Sequence, residues 1–305
     1  MKLLADNDAL CYLACSSLEE IIFQLKEKDS VREEFDTLAA ARRAMLEVDD
    51  PENHNIEVRQ IAGDFTTYQQ HWKLVLDNVM SATKSDTYRL YSEVPDSVTF
   101  RHKLAFSQPY KDRRDKPFRP RPVYLNKLKD WCVHNQNALS FTDIETDDAL
   151  CIVQTDCLLR GEESIIAQND KDILQCQGKH FRLHHKHRDI LEVSGYGEPL
   201  SIKSNKLVGT GSKFFFGQVL TGDPTDTYPG LPNMGPVRAM KLLQDTTCYE
   251  EGLEVVIEAY KKVYGDDFEK YLLEQGRLAW MLRHKFDGKF NNIPLWDLTM
   301  RPQFG

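Results

Sequence analysis

The residues best suited to chemistry are acids. Residues 144–153 read "IETDDALCIV": Glu145, Asp147 and Asp148 lie directly before an apolar run, Ala149 to Val153. Acids in a first helical turn interact favourably with the helix dipole, by roughly 0.3–1 kcal/mol each. That accounts for this cluster but not for its counterparts: Asp6 and Asp8 in "LLADNDAL", Glu93 and Asp96 in "TYRLYSEVPD", Asp170 and Asp172 in "AQNDKDIL", and Asp223 and Asp226 in "TGDPTDTYPG". Each pair alone reads as turn or N-cap chemistry. Gathered in one crevice, such groups repel, so either their pKa values rise or cations sit among them. Oxygen-only donors without His or Cys select hard ions, Mg²⁺ or Mn²⁺, and suggest a two-metal site rather than a zinc site.

The elements that would gather them alternate. "KLLA" is a short strand ending at Asp6, and "ALCYLACSSLEEIIFQLKEK" has helical spacing at Leu18, Ile21, Ile22 and Leu25. A helix is expected around "EFDTLAAARRAML" and another over "FTTYQQHWKLVLDNVMSA", before "TYRLYSE" forms a second strand. "DDALCIVQTDCLL" has the spacing of a buried helix, and "SIIAQ" is a third strand ending at Asn169 and Asp170. Strands alternating with helices imply an α/β fold with a mostly parallel central sheet flanked by helices. Ligand sites in such sheets lie outside the carboxyl ends of the strands, where the acids fall. From about Phe214 the chain is predominantly helical, so the expected domains are an α/β core over 1–213 and a helical region over 214–305.

Charge is unevenly distributed. The chain carries -8, yet residues 101–129 hold ten Lys or Arg against two Asp and no Glu, a local +8, interleaved with Phe106, Tyr110, Phe118 and Tyr124. Pro109, Pro117, Pro120 and Pro122 forbid one continuous helix, so an extended segment or short arch leads into a helix from about Leu125 to His134. "HFRLHHKH", with His180, His184, His185 and His187, is mixed with cations that oppose metal binding, and reads as a solvated strand or turn. "GTGSK", Gly209 to Lys213, lacks P-loop spacing and reads as a turn. Seven cysteines without a C-x-x-C pair fit reduced thiols used for packing. Asp6 and Asp8 interrupt any signal-peptide core and no later apolar run is long enough to span a membrane, so a cytoplasmic protein is expected, without a membrane partner.

The ordered blocks "LLADNDAL", "FRHKLAFSQPYKDRR", "IETDDAL" with "NDKDIL", and "LTGDPTDTYPGLPNMGPVRAMKLL" resemble the structure-specific 5'-nucleases, which comprise flap endonucleases, the 5'-nuclease domain of bacterial DNA polymerase I and bacteriophage 5'-to-3' exonucleases, the phage branch looking nearest. The resemblance runs from residue 2 to roughly residue 298 and implies a PIN-like 5'-nuclease fold. It implies that Asp6, Glu145, Asp147, Asp148, Asp170, Asp172, Asp223 and Asp226 are metal-site carboxylates binding two Mg²⁺ or Mn²⁺. An acid after the second strand belongs to the set. Glu93 fits the distance from the strand and Asp96 the distance to Arg101.

Lys111 and Arg114 match the family's paired cations over the scissile phosphate, and their spacing of three would put them on one helical face. Arg101, Lys103, Tyr110 and Arg113 are further DNA-contacting candidates of the same stretch. "GLPNMGPVRAMKLL" resembles the family's helix-three-turn-helix, which implies DNA contacts at Gly230, Gly235, Arg238 and Lys241 and a loop able to hold K⁺ through carbonyls. Val237 stands where many relatives have Lys. The implied activity is metal-dependent 5'-to-3' exonuclease or flap endonuclease cleavage of DNA, giving 5'-phosphate and 3'-hydroxyl ends. The implied setting is phage replication, recombination or genome degradation, in host cytoplasm, by a monomer working with replication proteins. Two other readings fit parts of the sequence: a DNA-binding replication factor that does not cut, and a ribonuclease of PIN-like fold.

Overall fold

The computed structural model describes residues 1–111, 120–184, 189–285 and 292–301. In chain order its elements are β1 (Lys2–Asp6), α1 (Asn7–Ser16), β2 (Glu20–Glu27), β3 (Ser30–Phe35), α2 (Leu38–Met45), β4 (His54–Ile61), α3 (Phe65–Thr83), β5 (Thr87–Glu93), α4 (Phe100–Leu104), α5 (Leu125–Asn135), β6 (Leu139–Phe141), α6 (Thr146–Leu159), β7 (Ser164–Gln168), β8 (Gly178–Arg182), β9 (Ile190–Val193), β10 (Ser201–Lys203), β11 (Lys206–Val208), α7 (Gly211–Thr221), α8 (Pro236–Leu243), α9 (Tyr249–Tyr264) and α10 (Phe268–Ala279). Two compact units result. One contains the described residues within Met1–Ala9, Asp77–Asp115 and Cys132–Gly305; the other contains those within Leu10–Leu76 and Lys116–Trp131. The division expected at residues 213 and 214 falls inside the first unit, which holds both the larger sheet and α7 to α10.

The first unit is built on a six-stranded sheet of order β6-β5-β1-β7-β8-β9. All its pairings are parallel except that of β8 with β9. Leu3, Leu4 and Ala5 of β1 and Ile165, Ile166 and Ala167 of β7 are fully buried, the continuous apolar run of strands covered on both faces. From β1 the chain builds outward to β5 and β6, then returns to the other side of β1 for β7 and β8. This reversal is the topological switch point, and the crevice outside the carboxyl ends opens there.

Helix α6 packs on β1, β5 and β7, and a buried arginine fixes its start. Arg101 Nη1 and Nη2 donate to Asp148 Oδ2 and Oδ1 at 2.6 and 2.8 Å, Nε and Nη2 donate to the carbonyls of Leu278 and Trp280 at 3.0 and 2.7 Å, and Nη1 reaches Glu145 Oε2 at 3.4 Å. Asp148 also accepts from the backbone N–H of Glu145 and of Leu282. One ion pair thus ties α4, α6 and the chain after α10 together. Near it Phe215 packs edge-on against Trp280 and Trp296, with centroids 4.9 and 5.4 Å away. Gly276 lets Trp296 approach: a Cβ there would stand 2.2 Å from the indole.

The second unit carries an antiparallel sheet of order β3-β2-β4. Here the structure corrects the expected helix through Ile21, Ile22 and Leu25, which lie in β2. Their spacing satisfies a helix, but β-branched and aromatic side chains pair along all eight residues of β2 with β4, and cross-strand packing decides between the two. Within this unit Trp72 meets Trp131 edge-on at 5.6 Å.

Two smaller corrections concern local elements. Gly211 to Lys213 of "GTGSK" form the first turn of α7. His180 is not solvated: it sits in β8 at 3% exposure, Nε2 lies 2.7 Å from the Cys176 carbonyl, and burial pushes its pKa down to about 4. His184 is exposed, while His185 and His187 lie outside the described residues. No described helix is long and apolar enough to cross a membrane.

Removing one partner of a buried ion pair leaves an uncompensated charge, worth about 3–5 kcal/mol. Arg101→Met should lower unfolding free energy by about that much in urea titration, and adding Asp148→Asn should recover part of it. A loss below about 1 kcal/mol would show that the pair does not hold α6 in place.

Candidate active site

The sheet's carboxyl edge presents the acids. Asp6 ends β1, Glu93 ends β5, Glu145 follows β6 and starts α6, and Asp170 follows β7. Asp172 opens a short 3-10 turn, and Asp223 and Asp226 occupy the loop after α7, where Asp223 forms a bridge with Tyr228. A cleft of about 330 Å³ within the first unit is lined by Glu145, Asp147, Asp170, Asp172, Asp223 and Asp226, with Lys111, Lys171 and Arg182 among them.

The electrostatics follow from crowding. Burial, followed by repulsion from Asp170, Asp6 and Glu145, pushes the Asp147 carboxyl well above the usual carboxylate range. Burial and then Asp170 raise Asp172 to about 7. Glu93 is raised by burial and by Glu145. Asp223 goes the other way: burial pushes it up, but the Lys171 ammonium, 2.5 Å from Oδ2, outweighs this and holds it low. Lys111 Nζ donates to Glu145 Oε1 and lies 3.9 Å from Asp226 Oδ1. Gln168 Nε2 donates to Asp147 Oδ1, and Gln218 Nε2 to Asp172 Oδ1 at 2.6 Å. Asp6 Oδ1 accepts the backbone N–H groups of Asp8 and Ala9, which caps α1 and fixes the carboxylate beside the cleft.

The donor set has the composition that a hard divalent ion takes: oxygen ligands only, in excess of their cations, with repulsion that an added cation would relieve. Among the described residues no three His, Cys, Asp or Glu side chains close around a single point as a finished metal cage. Ammonium groups stand among the acids instead.

Several sequence expectations change in placement. Asp148 faces away from the cleft: it is fully buried and both oxygens are engaged by Arg101 and backbone N–H groups, so the metal role expected for it is corrected to a structural one. Arg101, expected on DNA, is fully buried on Asp148 for the same reason. Tyr110, also expected on DNA, is 5% exposed, with its hydroxyl 3.4 Å from Glu145 Oε2 and 3.3 Å from Asp226 Oδ2. Gly230 is buried with φ 64, and its N–H donates to Gln275 Oε1 at 2.8 Å, so that amide serves the loop and not a phosphate. Lys103 is exposed, 3.6 Å from Asp143. Gly235, Arg238 and Lys241 are exposed at and along α8. Arg113 and Arg114 lie outside the described residues.

Between the two candidates after β5, Glu93 interacts with Glu145 and Lys111, whereas Asp96 is exposed in a left-handed turn with φ 58. Lys171, Arg182 and Gln168 were not anticipated. Lys171 lies within the quoted "NDKDIL", where a cation between two acids is itself a signal of a charge cluster.

No family model matches the chain. It is 29% identical over 124 residues to a flap endonuclease Xni of Shewanella amazonensis, covering 40% of this chain and 45% of that protein. It is 26% identical over 176 residues to a 5'-3' exonuclease of Buchnera aphidicola, covering 55% and 57%. The chain therefore spans about half the length of the curated relatives it matches. Among solved structures it is similar to a bacteriophage T5 flap endonuclease in complex with DNA and metal ions, with TM-score 0.49, 11% identity and coverage of 91% of this chain and 98% of that one. It is also similar to the T5 5'-exonuclease with bound zinc, with TM-score 0.47, 12% identity and coverage of 92% and 100%. By its sequence relatives, the chain is similar to 5'-nucleases over 40–55% of its length.

Proposed function

We propose that the chain is a metal-dependent 5'-nuclease that hydrolyses DNA phosphodiesters at or near 5' ends, leaving 5'-phosphate and 3'-hydroxyl products. The observation that carries this reading is the gathering of six carboxylates and three cations in one cleft at the switch point of a parallel sheet. Binding alone gains nothing from acids that repel phosphate, which disfavours a factor that only binds DNA.

Glu145, Asp147, Asp170, Asp172, Asp223 and Asp226 would hold two Mg²⁺ or Mn²⁺, with Asp6 and Glu93 adding field from behind. Such ions, when bound, lower the pKa of a ligating water and stabilise charge on the leaving oxygen. The protein's own groups position. Lys111 stands at the cleft to support a phosphate as charge develops on it, and Gln168 orients Asp147. Arg114 is proposed to share the work of Lys111. The pair α7 and α8 is proposed as a helix-three-turn-helix: Arg238 and Lys241, three residues apart on one exposed face, would grip duplex phosphates, and loop carbonyls would take K⁺. The substrates proposed are duplexes with a 5' end, flap or nick, including RNA:DNA hybrids, and the setting is primer removal or DNA degradation in phage replication.

End-labelled flap, nicked, blunt and hybrid substrates test this directly. Cleavage should require Mg²⁺ or Mn²⁺ and stop in excess chelator. Asp147→Asn should abolish cleavage while DNA is still bound, and Lys111→Ala should lower kcat about 10²- to 10³-fold. Wild type that binds a flapped duplex under Mg²⁺ and never cuts it would return the reading to a DNA-binding factor.

Asp172 supplies an independent check. Its carboxyl is raised from an ordinary 3.8 to about 7, so the folded protein binds that proton more tightly than the unfolded chain. The resulting stability is fully present below about pH 4 and is lost as pH rises through about 7. His180, lowered to about 4, has the opposite sign, so the comparison must be between variant and wild type. In chelator, Asp172→Asn should be more stable than wild type by on the order of 1–4 kcal/mol at pH 8, with the gap closing towards pH 5 in thermal or urea unfolding. A gap independent of pH would show that Asp172 is not held in repulsion.

A further inference from the structure

Of the three cations in the cleft, two are committed to acids. Lys111 is engaged by Glu145 and Lys171 by Asp223. Arg182 is different: among the described residues its guanidinium makes no ion pair or hydrogen bond. It nevertheless lines the same cleft and is only partly exposed.

Its position is built by the sheet. Arg182 is the last residue of β8 and pairs in parallel register with Gln168, the last residue of β7, whose amide holds Asp147. The arginine therefore stands one strand spacing, about 4.8 Å, from the strand that carries the Asp147 partner. It shares the lining of the cleft with Asp170, the second residue beyond β7. An uncommitted guanidinium at the edge of an acid cleft has one favourable use for substrate: its planar donors match the oxygens of a phosphate in two-point fashion, and its charge offsets repulsion between that phosphate and the acids.

We propose that Arg182 is a phosphate-binding residue of the cleft, holding a backbone or 5'-terminal phosphate of the nucleic-acid strand next to the acids. The inference rests on the nuclease reading for its choice of ligand, but it is read from binding and not from cleavage.

The experiment measures binding of flapped duplex and of single strand, each with 5'-phosphate or 5'-hydroxyl ends, across salt concentrations with Ca²⁺ in place of Mg²⁺. Arg182→Ala should weaken Kd about five- to tenfold and reduce the slope of log K against log salt by about 0.9 on duplex or about 0.7 on single strand. Arg182→Lys, which keeps the charge, should restore most of the slope, and both variants should melt with wild type. A loss equal on both 5' ends assigns an internal phosphodiester; a loss confined to the 5'-phosphate assigns the terminal group. Unchanged affinity and slope in Arg182→Ala overturns the assignment. So does a loss that follows a fall in melting temperature and is not rescued by Arg182→Lys. Wild type that binds but does not cut under Mg²⁺ or Mn²⁺ overturns the nuclease reading alone, and wild type that does not bind overturns both.

Discussion

Carboxylates brought within one cleft repel, and the cost of that repulsion rises as water is excluded. Several polar neighbours of the six acids offset it. Lys111 and Lys171 supply opposite charge, Gln168 and Gln218 donate amide protons, and the backbone N–H of Thr225 reaches Asp223 at 2.7 Å. What remains uncompensated appears as the upward displacement of Asp147 and Asp172. A fold selected for stability alone would have replaced such a cluster; a fold that must hold cations needs it.

The scaffold that resists the repulsion lies one layer below the cleft. Asp148 and Asp147 are adjacent on α6 but point about 100° apart, as consecutive helical residues must. One carboxylate can face the cleft only because the other faces inward, where Arg101 neutralises it with two direct hydrogen bonds. The inward pair fixes the rotation of α6 about its own axis, and that rotation aims Asp147 and Glu145. Tyr110 adds a second brace, its hydroxyl set between Glu145 and Asp226. These are positioning roles that no motif comparison distinguishes from ligand roles, because the residue types are the same.

Much of the first unit was legible. The spans "TYRLYSE" and "SIIAQ" are β5 and β7 residue for residue, and the strand, helix and acid order places the crevice. Local periodicity carries this information because those elements are covered by neighbours close in pattern. The β2 to β4 sheet was not legible: its register is a long-range pairing, and the same apolar spacing satisfies a helix until a partner strand is present. The inward turn of Asp148 was available in principle from the 100° helical step, but the identity of its partner was not, since Arg101 is 47 residues away. The strand end at Glu93 was legible, but the exposed, left-handed backbone that sets Asp96 apart from it was not, since composition does not record it.

The basic stretch shows how a charge count misleads. Its +8 suggests a surface for DNA, yet three of its six described cations stand at acids: Arg101 is consumed by Asp148, Lys111 by Glu145, and Lys103 stands near Asp143. A cation held by a buried carboxylate contributes little field at a distance, because the pair is close to a dipole and its potential falls away faster than that of a single charge. The positive field a phosphate would meet is therefore set by which cations lack an acid, not by how many the sequence contains. That criterion also separates the two faces of the protein's electrostatics. A cation tied to an acid, as Lys111 is to Glu145, would meet a phosphate with part of its charge already offset, and a cation without one would meet it with the whole.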